Sequence, residues 1–268
     1  MSNTLSGKQG AVLTEPDYSL VEGAGPCKSR RWGKSVIRVG FLNTKTDRQM
    51  AYKPHAHVGQ LMLVFALLLG GIFAAPVCQA ADAVAGKRLY PVCTACHGAA
   101  GQGNRGMGGP KLAGQQGFYL LKQLQNFQSG ARGMAPGDAK GRQMAAMSKR
   151  PALSSATALQ NLVAYLETLP AKPSTPTVMG DVAFGKNLYA TCVSCHGEAA
   201  QGLETMAAPR LAGQSDWYLV NQLKNFASGQ RGYASSDHSG RQMRAMMTTL
   251  SGPSDYRDVV AYINTLAP

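Results

Sequence analysis

Cys93-Thr94-Ala95-Cys96-His97 and Cys192-Val193-Ser194-Cys195-His196 are the two stretches on which the reading of this chain turns. Each has the order Cys-x-x-Cys-His. Two thiols spaced by two residues at a helix end can reach the two vinyl groups of one porphyrin. The imidazole that follows then falls beneath the iron. A redox Cys-x-x-Cys pair or half of a zinc site needs the thiols, but neither explains an adjacent His twice, 99 residues apart. The pentapeptides therefore read as attachment sites for two covalent haem groups. Cys93, Cys96, Cys192 and Cys195 supply the thioethers, and His97 and His196 the proximal imidazoles.

Outward from the motifs, the sequence repeats itself. Gly86-Lys87-Arg88-Leu89-Tyr90 matches Gly185-Lys186-Asn187-Leu188-Tyr189, and Pro110-Lys111-Leu112-Ala113-Gly114-Gln115 matches Pro209-Arg210-Leu211-Ala212-Gly213-Gln214. Tyr119, Gln123, Asn126 and Phe127 recur as Tyr218, Gln222, Asn225 and Phe226, and Gly141-Arg142-Gln143-Met144 as Gly240-Arg241-Gln242-Met243. The offset is 99 up to Met147 and 97 afterwards, so the first copy carries two extra residues within 148–152. Residues 82–172 and 181–268 are thus one domain written twice. Three prolines in 170–180 predict a stiff, extended connector between them.

Each copy has the periodicity of helices and none of strands, which makes the fold class all-α. Helices are expected over 84–92, 118–128 and 156–169, and again over 216–227 and 253–266. Leu120, Leu121, Leu124 and Phe127 form a buried stripe, and Ser154 or Ser155 caps the last helix of the first copy.

The run 61–75 is the single long apolar stretch, and it is too short for a membrane span of about 20 residues. With the small residues that follow Pro76, it reads as a signal peptide over 50–80, cut after Ala80. Residues 1–49 are polar, Gly-rich and aperiodic, which fits a start site placed too early, with Met50 the true one. His55 and His57 then belong to the leader. Cys27 and Cys78 are also lost with this segment, and no disulfide framework is expected. Export agrees with haem attachment, which bacteria carry out outside the cytoplasm, and it places the protein in the periplasm.

The sixth iron position decides what such a haem does: open, it binds small molecules; closed by Met, it exchanges electrons at a raised potential. Met144 and Met243 occupy matching places, each after a Gly-rich loop and just before the final helix, so that the loop can wrap back over the haem. Met147 and Met246 match as well and compete with them, packing being the ordinary role of Met. Met107, Met134, Met206 and Met247 read as packing or loop residues. His238, expected in a loop, reads as a solvated imidazole. Pro110 and Pro209 follow the proximal His at the distance where a backbone carbonyl could orient its ring.

With the two Cys-x-x-Cys-His motifs, the two P-[KR]-L-A-G-Q and two G-R-Q-M segments and the tandem arrangement, residues 82–268 resemble a di-haem class I cytochrome c of the cytochrome c4 type. The resemblance implies two tandem class I domains, each wrapping one covalent haem, whose propionate edges face each other. It implies Met144 and Met243 as distal ligands. The family spacing from Met to a Leu-Ser pair is kept from Met243 to Leu250-Ser251, and is two residues longer from Met144 to Leu153-Ser154. It also implies a non-enzymatic electron carrier of the periplasm, serving a terminal oxidase, a quinol-oxidising complex or a dehydrogenase. The alternatives are a dedicated cytochrome subunit of a dehydrogenase, such as a sulfide-oxidising flavocytochrome, and a di-haem peroxidase, which needs an open iron.

Charge is uneven. The whole chain is formally +13, but residues 82–172 hold 11 basic and three acidic side chains, whereas 173–268 hold seven of each. Such a dipole steers encounters, and it points the first domain toward acidic protein surfaces or anionic membrane. Nucleic acid is not an expected partner, for no recognition motif accompanies the charge.

Overall fold

The computed structural model describes residues 80–266. The segment 1–49, the apolar run 61–75, His55, His57, Cys27 and Cys78 lie outside the described residues. In the first half, α1 (Ala83–Leu89) starts where Asp82 accepts hydrogen bonds from the Val84 and Ala85 N–H groups. The single helix expected over 84–92 is broken. Pro91 has no N–H to donate, and Tyr90–Cys93 tighten into a 3-10 turn. One turn of helix follows, α2 (Thr94–His97), and then α3 (Gly117–Ser129), α4 (Ala139–Ser148) and α5 (Ala156–Glu167). Ser155 is the cap of α5, its hydroxyl accepting from Ala158 N–H at 3.0 Å. The second half repeats the set as α6 (Val182–Tyr189), α7 (Val193–His196), α8 (Asp216–Ala227), α9 (His238–Met246) and α10 (Pro253–Ile263). Among the described residues the extended structure amounts to isolated bridges at Asn104–Gly109 and Leu203–Ala208.

Two of these helices are absent from the sequence reading. Met144 and Met243 lie on α4 and α9, and His238 opens α9 where a loop was expected. The reason is a cap at each start. Asp138 and Asp237 accept from Gly141 and Gly240 N–H at 2.7 and 3.1 Å. A Cβ at either glycine would lie 2.0 Å from the capping carboxylate, so the residues that look like loop glycines are what lets the cap close.

In each half the first helix crosses the last. At the crossing a Cβ on Gly86 would sit 1.8 Å from the Asn161 carbonyl oxygen, and one on Gly185 1.9 Å from that of Asp258. Glycine there is a matter of close approach. Beside the crossing, Tyr90 packs on Tyr165 and Tyr189 on Tyr262, both with ring centroids 5.4 Å apart. Each half has its own apolar core: Leu120, Leu124, Leu159, Leu162 and Leu166 in the first, Leu219, Val220, Phe226, Val260 and Ile263 in the second. Burying each such side chain contributes about 1.5–3 kcal/mol. The two extra residues of the first half are absorbed after α4. Gln128 Nε2 donates there to the Ser148 and Leu153 carbonyls at 2.8 and 2.7 Å. The second half needs no such brace, because Met247 takes the place of Ser148 and fills the core.

Both halves fall within one compact unit, Ala80–Pro268, and the repeated P-[KR]-L-A-G-Q segments join them. Gln214 Nε2 donates to the Lys111 carbonyl at 2.9 Å while its Oε1 accepts from Lys111 N–H at 3.1 Å. Reciprocally, Gln115 Nε2 donates to the Arg210 carbonyl at 3.0 Å, and Gln116 Oε1 accepts from Arg210 N–H. The connector 170–180 is non-helical. It is held by Lys111 Nζ, which donates to the Lys172 and Gly213 carbonyls, and by Asp216. The Asp216 carboxylate accepts from the Thr177 and Val178 N–H groups and from the Thr177 hydroxyl.

Candidate haem sites

The site is built on the short helices α2 and α7. Each carries its second cysteine and its histidine, and ends at a glycine of positive φ, Gly98 and Gly197, both at 80°. The phenol of Tyr90 donates to the Gly98 carbonyl at 2.6 Å and that of Tyr189 to Gly197 at 2.7 Å, pinning the turn. The chain then loops back: Gly103 N–H donates to the His97 carbonyl, and Gly202 N–H to that of His196, each at 2.8 Å. These loops bring two proline carbonyls against the imidazoles, 2.8 Å from His97 Nδ1 to Pro110 and 2.9 Å from His196 Nδ1 to Pro209.

A carbonyl can only accept. Nδ1 therefore carries the proton, and Nε2 keeps its lone pair, as an iron ligand requires. Burial lowers the pKa of both histidines more than the proline carbonyls raise it, so both rings are neutral at pH 7.

The thiols are half-buried and unpaired. Burial pushes the Cys93 thiol up to about 11, and the Cys192 thiol also rises. A redox Cys-x-x-Cys pair has the opposite need, a depressed thiolate pKa. Among the described residues no group of three or more His, Cys, Asp or Glu gathers to hold a metal.

Met144 is half-buried and packs on the core cluster that Cys93, Leu112 and Leu121 also border; Met243 does the same beside Cys192, Leu211 and Leu250. The competing pair is placed differently. The Met147 sulfur lies 3.9 Å from the Arg150 guanidinium, and Met246 is 40% exposed. His238 is exposed. Met107 and Met206, read from the sequence as packing or loop residues, match at the offset of 99 and are both exposed. Sequence reading also gave no role to Arg132 and Arg231, which match at the same offset of 99 and meet at the junction of the halves. Each half thus brings one thiol, Cys93 or Cys192, and one thioether, Met144 or Met243, to the border of its apolar core, while the second thiol and the neutral imidazole follow on the adjoining turn of helix; these are donor types that suit an iron porphyrin.

Residues 83–170 and 182–267 match the family model described as cytochrome c. The chain is similar to cytochrome c4 of Azotobacter vinelandii, 34% identical over 197 residues that cover 70% of this chain and 90% of that one. It is similar also to the thiosulfate dehydrogenase electron acceptor of Stutzerimonas stutzeri, 31% identical over 66% of this chain and 87% of that one. Among solved structures, reduced recombinant cytochrome c4 from Pseudomonas stutzeri aligns with a TM-score of 0.54 and 29% identity, covering 70% of this chain and all of that one. The fold and the paired sites define a protein of two tandem cytochrome c domains. The chain belongs to the cytochrome c family, in its di-haem branch of the cytochrome c4 type. It holds two covalent haem c groups and is an electron-transfer protein, a carrier and not an enzyme.

Proposed function

We propose that this protein is a periplasmic carrier with both irons closed by His and Met. It takes electrons from a dehydrogenase or quinol-oxidising complex and delivers them to a terminal oxidase. Haem iron supplies the one-electron chemistry, between its ferrous and ferric states. His97 and His196 are the proximal ligands, oriented by the Pro110 and Pro209 carbonyls, and Met144 and Met243 the distal ones. The observation that carries this reading is the matched placement of Met144 with Cys93 and of Met243 with Cys192 on the two cores. A thioether in the sixth position raises the potential and leaves no room for peroxide, which argues against the peroxidase reading. Export through the segment 50–80, with domains over 82–172 and 181–268, supports the compartment.

The thiosulfate dehydrogenase electron acceptor among the relatives supports a dehydrogenase as donor. A fixed cytochrome subunit of such an enzyme is the second reading, and co-purification with a flavoprotein in place of a free monomer would favour it. The net charge of +8 on 82–172 supports docking of the first domain on an acidic protein surface. Lys140, Arg142, Lys149 and Arg150, all exposed, lie on or just after the helix that carries Met144.

A redox titration with optical spectra tests the ligands. Two Met–iron charge-transfer bands near the red edge are expected, with Met144→Ala and Met243→Ala each removing one. Loss of a band in Met147→Ala, with Met144→Ala unaffected, would reassign the first site.

A further inference from the structure

We propose that the cavity beneath the connector is a binding site for a small tetrahedral oxyanion, which clamps the connector to both halves. The cavity measures about 330 Å³ and lies between the loop after His97, the connector and the start of α8. A water takes about 30 Å³, so an oxyanion fits there with part of its hydration shell.

Charge selects the ligand. Arg105, Lys111 and Lys172 line the cavity against one carboxylate, Asp216. The Asp216 oxygens are already taken, for they accept from Thr177, Val178, Trp217 and Asn264. The cations have donors to spare. Among the described residues the Arg105 guanidinium has one partner, the Thr177 hydroxyl, which accepts from Nη1 at 3.3 Å. Lys111 is 5% exposed, and its Nζ donates to the Lys172 and Gly213 carbonyls. That uses two of the three N–H groups of an ammonium. Burial lowers the Lys111 pKa, a cost that an anion beside it offsets. Ser215 adds a hydroxyl. It is 7% exposed, lines the cavity, and stands at the cap position of α8 without a capping hydrogen bond from its side chain. A guanidinium fork, an ammonium and a hydroxyl, all able to donate, are the groups that hold a sulfate or phosphate dianion.

The repeat explains why the site forms on one side of the junction. In the other copy the places of Arg105 and Ser215 are held by Glu204 and Gln116. Glu204 brings the wrong charge for an anion. Gln116 Oε1 accepts from Arg210 N–H at 3.0 Å and would lie 2.5 Å from a Cβ on Gly202. The long glutamine thus occupies the space beside Gly202 that the short Ser215 leaves open beside the matching Gly103, and the connector roofs that opening.

The test is isothermal titration calorimetry of the holoprotein at pH 7 with sodium sulfate and, separately, sodium phosphate, the ionic strength held constant with sodium chloride. One saturable site per chain is expected for at least one of them, and the tighter of the two identifies the oxyanion. Arg105→Gln should weaken binding about tenfold, through loss of a charge-assisted contact. Ser215→Gln gives this side the residue of the other copy and should abolish binding. Lys224→Gln, which removes an exposed cation elsewhere on α8, should leave it unchanged. At ten times the Kd, the anion should slow proteolysis within 170–180 about tenfold, and chloride at equal ionic strength should not. Circular dichroism checks that each variant is folded; if Ser215→Gln is not, Arg105→Gln, at an exposed position, decides. Absence of saturable binding for both anions overturns the proposal. So does binding that Arg105→Gln leaves intact, or that Lys224→Gln weakens equally.

Discussion

Asp216→Asn tests how the second domain holds the connector. The Asp216 carboxylate is 2% exposed. Its Oδ2 accepts from the N–H groups of Thr177 and Val178, the latter at 2.7 Å, and from Asn264 Nδ2 at 3.4 Å. Its Oδ1 accepts from the Thr177 hydroxyl at 2.9 Å and from Trp217 N–H at 2.6 Å. An asparagine keeps one acceptor oxygen and turns an NH2 toward donors on the other side. With the NH2 in place of Oδ1 two donors lose their acceptor, and with it in place of Oδ2 three do. A buried donor left unsatisfied costs about 1–3 kcal/mol, so after relaxation the loss should be roughly 2–4 kcal/mol.

Urea unfolding at pH 7, followed by circular dichroism and by the fluorescence of Trp217, should show a lower midpoint. Limited proteolysis should open the chain within 170–180. A wild-type midpoint with an uncut connector would refute the reasoning. The pH dependence has a definite sign. Burial alone would raise the Asp216 pKa, but the donors from Thr177, Val178 and Trp217 outweigh it and hold the pKa below its ordinary value. A folded pKa below the unfolded one gives stability that is present above about pH 4 and is lost as pH falls through the folded value. The difference between wild type and Asp216→Asn should therefore be largest near neutrality and shrink in acid.

Other outcomes follow from the same structure. Gly185→Ala puts a methyl against the Asp258 carbonyl oxygen, a backbone atom that no rotamer change can move aside. Thermal melting should show a loss of at least about 1–3 kcal/mol, and unchanged melting would mean that the helices separate freely. Tyr90→Phe leaves the Gly98 carbonyl without its phenol donor and should cost about 1 kcal/mol in the same assay. The phenol itself, pushed up to about 12 chiefly by burial, keeps this bond through pH 10, so the wild-type contact should be insensitive to mild alkali. For the docking face, electron transfer to an acidic redox partner should slow as salt rises from low to physiological strength; a flat rate would sever the charge of the first domain from its function.

Most of the architecture was legible because it is written twice. The stripe of α3, the Ser155 cap and the Cys-x-x-Cys-His turns each follow from local rules, and the repeat turns one observation into two. The helices α4 and α9 were hidden because their glycines read as loop, although Asp138 and Asp237 three residues earlier are the signal for a cap. The junction was hidden for another reason. Tyr119, Gln123 and Arg132 match Tyr218, Gln222 and Arg231 in the sequence, but matching does not reveal that each set pairs with the other across space. Asp216 has no partner of either kind: the matching position is Gly117, whose N–H is instead taken by Glu167 Oε1 at 3.0 Å. A residue without an echo thus serves the connector, alongside Lys111, whose matching residue is Arg210.

The exchange of glutamines at the junction has a consequence for the origin of the molecule. Gln115 and Gln116 bond the backbone of Arg210, Gln214 bonds that of Lys111, and the two arginine forks cross in the same reciprocal way. Such a surface is isologous: it recognises a copy of itself. A single-domain ancestor with this one face would already have been able to form a two-fold dimer. Duplication and fusion of such an ancestor would have had only to tether what could already pair. In this chain the connector 170–180, held by Asp216, plays the part of such a tether, and the two halves it joins differ in charge while their shared face is matched.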